Sequence, residues 1–158
     1  YRIGLGEDSH RYTNIGRGIV VGGVNIKTEF GIEANSDGDV LYHALCNALS
    51  SAVGKGSLAT YADALVKQGE RRSSAYLLAV KRTIMAESFV VENVAASVEA
   101  SRPLLEKYSR EMADNISQNL DINSSRVGIT FTTGEGLTAF GRGEGIRALV
   151  TVLLAKSQ

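Results

Sequence analysis

From Ser36 to Gly54 the chain reads S-D-G-D-V-L-Y-H-A-L-C-N-A-L-S-S-A-V-G, with apolar residues recurring three and four apart. Val40, Leu41, Ala44, Leu45, Ala48, Leu49, Ala52 and Val53 make one stripe, which predicts a helix over Ser36–Val53. Ser36 suits the N-cap, Asp39 the first turn and Gly54 the stop. At about 100° per residue, Asp39, His43 and Asn47 fall opposite that stripe. His43 is therefore expected to face away from this helix's core.

The remaining pattern alternates. Arg2–Leu5 and Gly18–Ile26 read as strands, with Gly22-Gly23 marking an end and a loop following the first. Gly54–Gly69 is the least regular stretch, with a short helix expected around Tyr61–Lys67. Ser74 is placed to cap a helix through Glu87 that turns Tyr76, Leu77, Val80, Ile84 and Met85 inward. Phe89–Ser101 reads as a strand with a kink at Glu92-Asn93. Pro103 suits the first turn of a helix running to about Leu120, with Leu105, Tyr108, Met112 and Ile116 inward. Arg126–Thr133 and Gly145–Lys156 close the pattern as strands. The expected fold is an α/β (α+β) sandwich, a mixed sheet with helices packed on one face.

A chain of 158 residues is expected to form one domain with a substantial core. Its 17 acidic residues balance 17 basic ones, so no general nucleic-acid or membrane surface is indicated. No apolar run approaches the ~18 residues of a membrane span. The single cysteine, Cys46, has no internal partner and fits a reducing compartment. The first residue is Tyr, which suggests a processed or trimmed N-terminus.

The two histidines of the chain fall in one polar constellation. On a strand, side chains two apart share a face, so Asp8 and His10 can converge, and His43 completes a carboxylate and two imidazoles. That set suits a tetrahedral Zn²⁺ with one position open. The spacing fits two unrelated surface histidines and a loop aspartate equally well. A second motif is T-T-G-E-G-L-T-A-F-G-R-G-E-G-I, Thr132 to Ile146. Small residues around Thr132, Thr133 and Glu135 let backbone approach a phosphate. Glu135 is a hard ligand of the kind that holds Mg²⁺, and Arg142 can grip phosphate bidentately. A glycine-rich hairpin with a solvated Glu and Arg is the plainer alternative.

G-x-x-D-S-H near the start, S-D-G-D-V-L-Y-H-A-L in the first helix and F-G-R-G-E-G-I near the end resemble the 2-C-methyl-D-erythritol 2,4-cyclodiphosphate synthase family, and A-S-R-P-L-L at Ala100–Leu105 resembles its nucleotide-binding stretch. The resemblance spans essentially the whole chain. It implies a homotrimer with active sites between subunits, converting a CDP-linked methylerythritol 2-phosphate into the cyclic diphosphate and CMP. Asp8, His10 and His43 match the family's zinc ligands (Zn²⁺ or Mn²⁺), and Glu135 matches the residue on a Mg²⁺ or Mn²⁺ that bridges the diphosphate. Thr132 and Thr133 match the phosphate-positioning segment, and Ala100, Ser101, Arg102, Pro103, Leu104 and Leu105 the cytidine pocket. Arg142 matches a phosphate-binding arginine near a central cavity that takes an isoprenoid diphosphate.

Several positions depart from the family pattern. Asn35 precedes Ser36 where many members carry His; it can orient phosphate but not titrate near neutrality. Asn47 stands where Asp is frequent. The contact to the methylerythritol hydroxyls is reduced to something like Ser57-Leu58-Ala59, and Phe140 lies one position beyond the usual aromatic. A non-catalytic trimeric relative that binds a nucleotide or isoprenoid diphosphate, and a metal-dependent phosphohydrolase, are the competing functions. A bacterial cytoplasmic location is expected, or a plastid one if a transit peptide has been removed.

Overall fold

Alternation of buried and exposed residues builds the sheet. In the computed structural model, which describes residues 1–157, β1 (Arg2–Thr13) and β7 (Gly145–Lys156) pair antiparallel from Arg2↔Leu154 to Arg11↔Gly145. β5 (Phe89–Glu99) lies antiparallel on the other side of β7, and β6 (Val127–Thr132) runs parallel to β5. With the short β4 (Gly31–Ile32) on the outer edge of β1, the order is β4-β1-β7-β5-β6, a mixed sheet. β2 (Ile19–Val21) and β3 (Val24–Ile26) form a separate hairpin across Gly22-Gly23, not one continuous strand.

One sheet face is covered. Ile146, Ala148, Val150, Val152 and Leu154 of β7 are buried beneath α1 (Val40–Ala52), with α3 (Ser73–Ala86) packed beside it and α4 (Ser109–Leu120) against β6. α2 (Ala59–Lys67) packs on α3. In β5 the register shifts between Val91 and Asn93, at the expected kink. That bulge keeps Phe89 and Val91, and then Val94, Ala96 and Val98, on the same buried face. Among the described residues no helix covers the other sheet face, which exposes Ile3, Leu5 and Leu149.

The first helix sits so low on β1 that side chains there would collide. A Cβ on Gly4 would lie 1.9 Å from the carbonyl oxygen of Ala48, and one on Gly6 would lie 2.1 Å from that of Ala44. Two strand residues advance about 6.6 Å and four helix residues about 6 Å. The step along β1 from Gly4 to Gly6 therefore matches about one helical turn back along α1, and His43, the residue before Ala44, reaches Asp8 and His10 beyond Gly6.

Several expected boundaries move. β1 continues to Thr13, so Asp8 and His10 lie inside the strand and not in a loop after it. α1 begins at Val40, capped by Asp39 rather than Ser36. The Asp39 carboxylate is fully buried; it accepts N–H groups of Gly22 (2.9 Å), Gly23 (2.7 Å) and Tyr42 (3.0 Å), tying the hairpin to the helix. Burial pushes its carboxyl upward, against those three donors. α3 starts at Ser73, one residue before the expected cap. Pro103 is not in a helix. It follows a cis peptide in the segment after β5, and α4 begins only at Ser109, after a single tight turn at Glu106–Tyr108. No helix among the described residues is long and apolar enough to cross a membrane.

Candidate active site

Asp8 and His10 share the buried face of β1, and α1 brings His43 down onto them. Oδ2 of Asp8 lies 2.9 Å from Nε2 of His10 and 3.1 Å from Nδ1 of His43, and those two nitrogens are 3.1 Å apart. Three donor atoms converging on one point, one carboxylate oxygen and two imidazole nitrogens, fit a divalent ion of the zinc or manganese class with a further position open. Burial alone would raise the Asp8 carboxyl, but the adjoining His10 and His43 rings prevail and hold it at about 2.

His43 is only 5% exposed, which corrects the expectation that it faces away from the core. A helical wheel describes one helix, whereas α1 has β1 and β7 beneath it and α3 at its side. Its polar side is thus buried against the sheet end that carries Asp8 and His10. Nε2 of His43 lies 2.8 Å from Oγ of Ser73 and 3.3 Å from Oγ of Ser36. Asn35, just before Ser36, is exposed, and its carbonyl accepts the Arg71 guanidinium.

A separate cavity of about 690 Å³ opens at the far side of the sheet. Ala100, Pro103, Leu104 and Leu105 line it with Phe131, Thr132 and Thr133, while Ser101 and Arg102 do not. Arg102 instead lies over the ring of Phe30, 4.9 Å from its centroid, and its carbonyl accepts the Tyr12 hydroxyl at 2.6 Å. Ile26 and Lys27 complete the wall from the end of the hairpin. They lie more than seventy residues before Ala100 in the chain, so no local pattern could have signalled them.

Thr133 leads into a tight turn, Gly134–Gly136, in which all three residues have positive φ. Glu135 (φ 48°) is exposed there, away from the triad. Arg142 is exposed and paired with Glu144 at 3.1 Å, and Phe140 is half-buried with its carbonyl on the Ser101 N–H. Ser57 and Ala59 are exposed around the start of α2. Asn47 fixes that stretch: its Oδ1 accepts the Leu58 N–H at 2.8 Å while its Nδ2 donates to the Glu7 carbonyl at 3.2 Å.

Triad and cavity lie on different strands. Ser9 pairs with Arg147, Arg147 with Glu99 and Glu99 with Thr132, one row across the sheet. Three strand spacings, on the order of 14 Å, therefore separate the triad strand from the cavity strand within one chain.

A model of the YgbB family matches residues 1–155. The 2-C-methyl-D-erythritol 2,4-cyclodiphosphate synthase of Chlamydia trachomatis serovar A is 36% identical over 156 residues, covering 98% of this chain and 88% of that protein. A CDP-bound 2C-methyl-D-erythritol-2,4-cyclodiphosphate synthase matches with a TM-score of 0.88 and 34% identity, over 98% of this chain and all of that one. An IspF of Plasmodium falciparum in a CDP complex matches with a TM-score of 0.86 and 25% identity, over 99% and 97% of the two chains. Fold, convergent triad and full-length similarity agree, and the chain belongs to the YgbB family, that of the 2-C-methyl-D-erythritol 2,4-cyclodiphosphate synthases.

Proposed function

We propose that this protein is a 2-C-methyl-D-erythritol 2,4-cyclodiphosphate synthase, a phosphorus–oxygen lyase that turns 4-diphosphocytidyl-2-C-methyl-D-erythritol 2-phosphate into the cyclic diphosphate and CMP. The observation that carries this reading is the convergence of Asp8, His10 and His43 in a chain similar to those synthases over nearly its full length. An oxygen of the 2-phosphate bonds to the β-phosphorus, the bond from that phosphorus to the bridging oxygen breaks, and CMP leaves with the oxygen. No protein nucleophile is needed, so the residues act by positioning and charge neutralisation.

Asp8, His10 and His43 would hold a zinc or manganese ion, and Glu135 would hold a magnesium or manganese ion. When bound, these ions polarise phosphate oxygens and neutralise charge on the leaving group. Thr132 and Thr133 offer hydroxyl and N–H donors to the diphosphate, and the apolar wall of Ala100, Pro103, Leu104 and Leu105 takes the cytosine. Asn35 and Ser36 orient the 2-phosphate. Exposed Ser57 and Ala59, steadied by Asn47, face the methylerythritol hydroxyls.

The separation of triad and cavity across the sheet supports a homotrimer in which one subunit's triad works with its neighbour's cavity. The uncovered sheet face, with Ile3, Leu5 and Leu149, supplies the apolar surface for that assembly. Arg142 is the phosphate ligand we assign to its central cavity, where an isoprenoid diphosphate would sit.

Incubation with the CDP-linked substrate, followed by phosphorus NMR, tests the function. Cyclic diphosphate and CMP are expected in equal amounts. Inorganic phosphate with open-chain products would mark a phosphohydrolase, and absence of turnover a binding protein.

A further inference from the structure

Only one of the two ring nitrogens of His43, Nδ1, points at Asp8 and His10. The other, Nε2, lies 2.8 Å from Oγ of Ser73, the fully buried first residue of α3. The Ser73 hydroxyl donates to Oδ1 of Asp37, and the Ser73 N–H donates to Oδ2 of the same carboxylate at 2.9 Å. A carboxylate accepts and does not donate, so the serine proton is committed to Asp37. Ser73 Oγ is then left to accept, and the proton it accepts is the one on Nε2 of His43. That order places the ring proton on Nε2 and leaves the Nδ1 lone pair free toward Asp8 and His10.

We propose that Ser73, held by Asp37, is a positioning residue that fixes the tautomer and ring orientation of His43 for metal binding. The inference rests on reading Asp8, His10 and His43 as a metal site. Three elements meet in the relay: the loop before α1, α1 itself and the start of α3. The connection is reinforced where the Asp37 N–H donates to the Arg71 carbonyl at 2.9 Å. Ser36 Oγ, at 3.3 Å from Nε2, is a longer contact on a half-buried hydroxyl that already accepts the Gly38 N–H. Ser73 is fully buried and so shielded from bulk solvent.

Outer partners of this kind typically change metal affinity by about 10–100-fold. The test is the zinc dissociation constant of the whole protein, by competition with a chromophoric chelator, with the visible spectrum of the Co²⁺-loaded form as a second readout. Ser73→Ala should bind zinc about 10–100-fold more weakly and shift the cobalt bands, while Ser73→Thr restores both. Thermal unfolding of the metal-free variants separates packing from positioning. Zinc affinity of Ser73→Ala equal to that of the wild type overturns the proposal, as does an equal loss in Ser73→Thr. Should Ser73→Ala fail to fold, Asp37→Asn keeps an acceptor for the Ser73 N–H but weakens the hold on the hydroxyl. Reduced zinc affinity in Asp37→Asn supports the relay, and unchanged affinity overturns it. A wild-type protein that binds no zinc would overturn the metal site itself, a failure visible before any variant is compared.

Discussion

The hydroxyl of Thr138 donates to Oε1 of Glu99, the last residue of β5, and anchors the glycine-rich turn to the end of the sheet. Thr138 Oγ1 also accepts the Gly141 N–H at 2.9 Å, and a Cβ on Gly134 would come within 2.3 Å of that same Glu99 oxygen. Thr138→Val removes the donor and leaves a part-buried carboxylate short of a partner. Stability should fall by about 1–3 kcal/mol, with a raised KM for the CDP-linked substrate and unchanged zinc content. Urea unfolding and elemental analysis of the one variant check both halves; a KM equal to that of the wild type would show that the turn needs no such anchor.

Gly6→Ala pushes a methyl group into the backbone of α1, 2.1 Å from the Ala44 carbonyl oxygen and 2.3 Å from the Ala48 nitrogen. Neither neighbour is a side chain that can turn away. The helix must lift, at a cost of about 3 kcal/mol or more, and His43 lifts with it. Loss of stability together with loss of zinc affinity is expected; a variant as stable as the wild type would contradict the close packing.

Glu135 occupies a left-handed backbone conformation that costs a side-chain-bearing residue roughly 1–2 kcal/mol. Glu135→Gly should therefore leave stability unchanged or raise it by up to about 1 kcal/mol, while turnover falls and zinc content holds. Glu135→Gln should lower turnover without the stability gain. Full activity in both variants would remove Glu135 from the diphosphate site.

Shared sites predict complementation. Mixed oligomers of His43→Ala and Glu135→Ala chains should recover part of the activity that each lacks alone, because the two defects then fall in different sites. Leu5→Asp, at a position 59% exposed on the uncovered sheet face, should yield monomers by light scattering. Inactive mixtures, or a wild-type monomer, would count against the intersubunit arrangement.

In the metal-free protein the Asp8 carboxyl sits at about 2, below its ordinary 3.8. A depressed folded value means that ionised Asp8 stabilises the fold above the ordinary value, and that this contribution fades as pH falls toward the folded one. The stability gap between wild type and Asp8→Asn, both without metal, should shrink over that interval. A gap constant with pH would exclude the adjoining His10 and His43 rings as its source.

How much of this was legible in the sequence depended on whether one element sufficed to decide it. β7 could be read to the residue, because Ile146, Ala148, Val150, Val152 and Leu154 alternate without interruption. The β5 bulge was visible as a break in the same alternation. β1 looked finished at Leu5 because Glu7 to Arg11 is polar on both faces, and only the pairing with β7 shows that the strand continues. The triad was legible as composition and spacing, but the burial of His43 was not, since it depends on what packs around α1. The cavity wall at Ile26 and Lys27 depends on a hairpin distant in sequence, and its closure is a tertiary fact.

The line Gly4, Gly6, Asp8, His10 ties the registry of β1 to assembly of the triad. A strand displaced by one residue against β7 would present Ile3, Leu5, Glu7 and Ser9 to α1. Those side chains would hold the helix off the sheet, and no imidazole would remain beneath His43. Misregistered chains are therefore incapable of bringing Asp8 and His10 to His43, and metal binding at the proposed triad site would report strand registry in any refolded preparation.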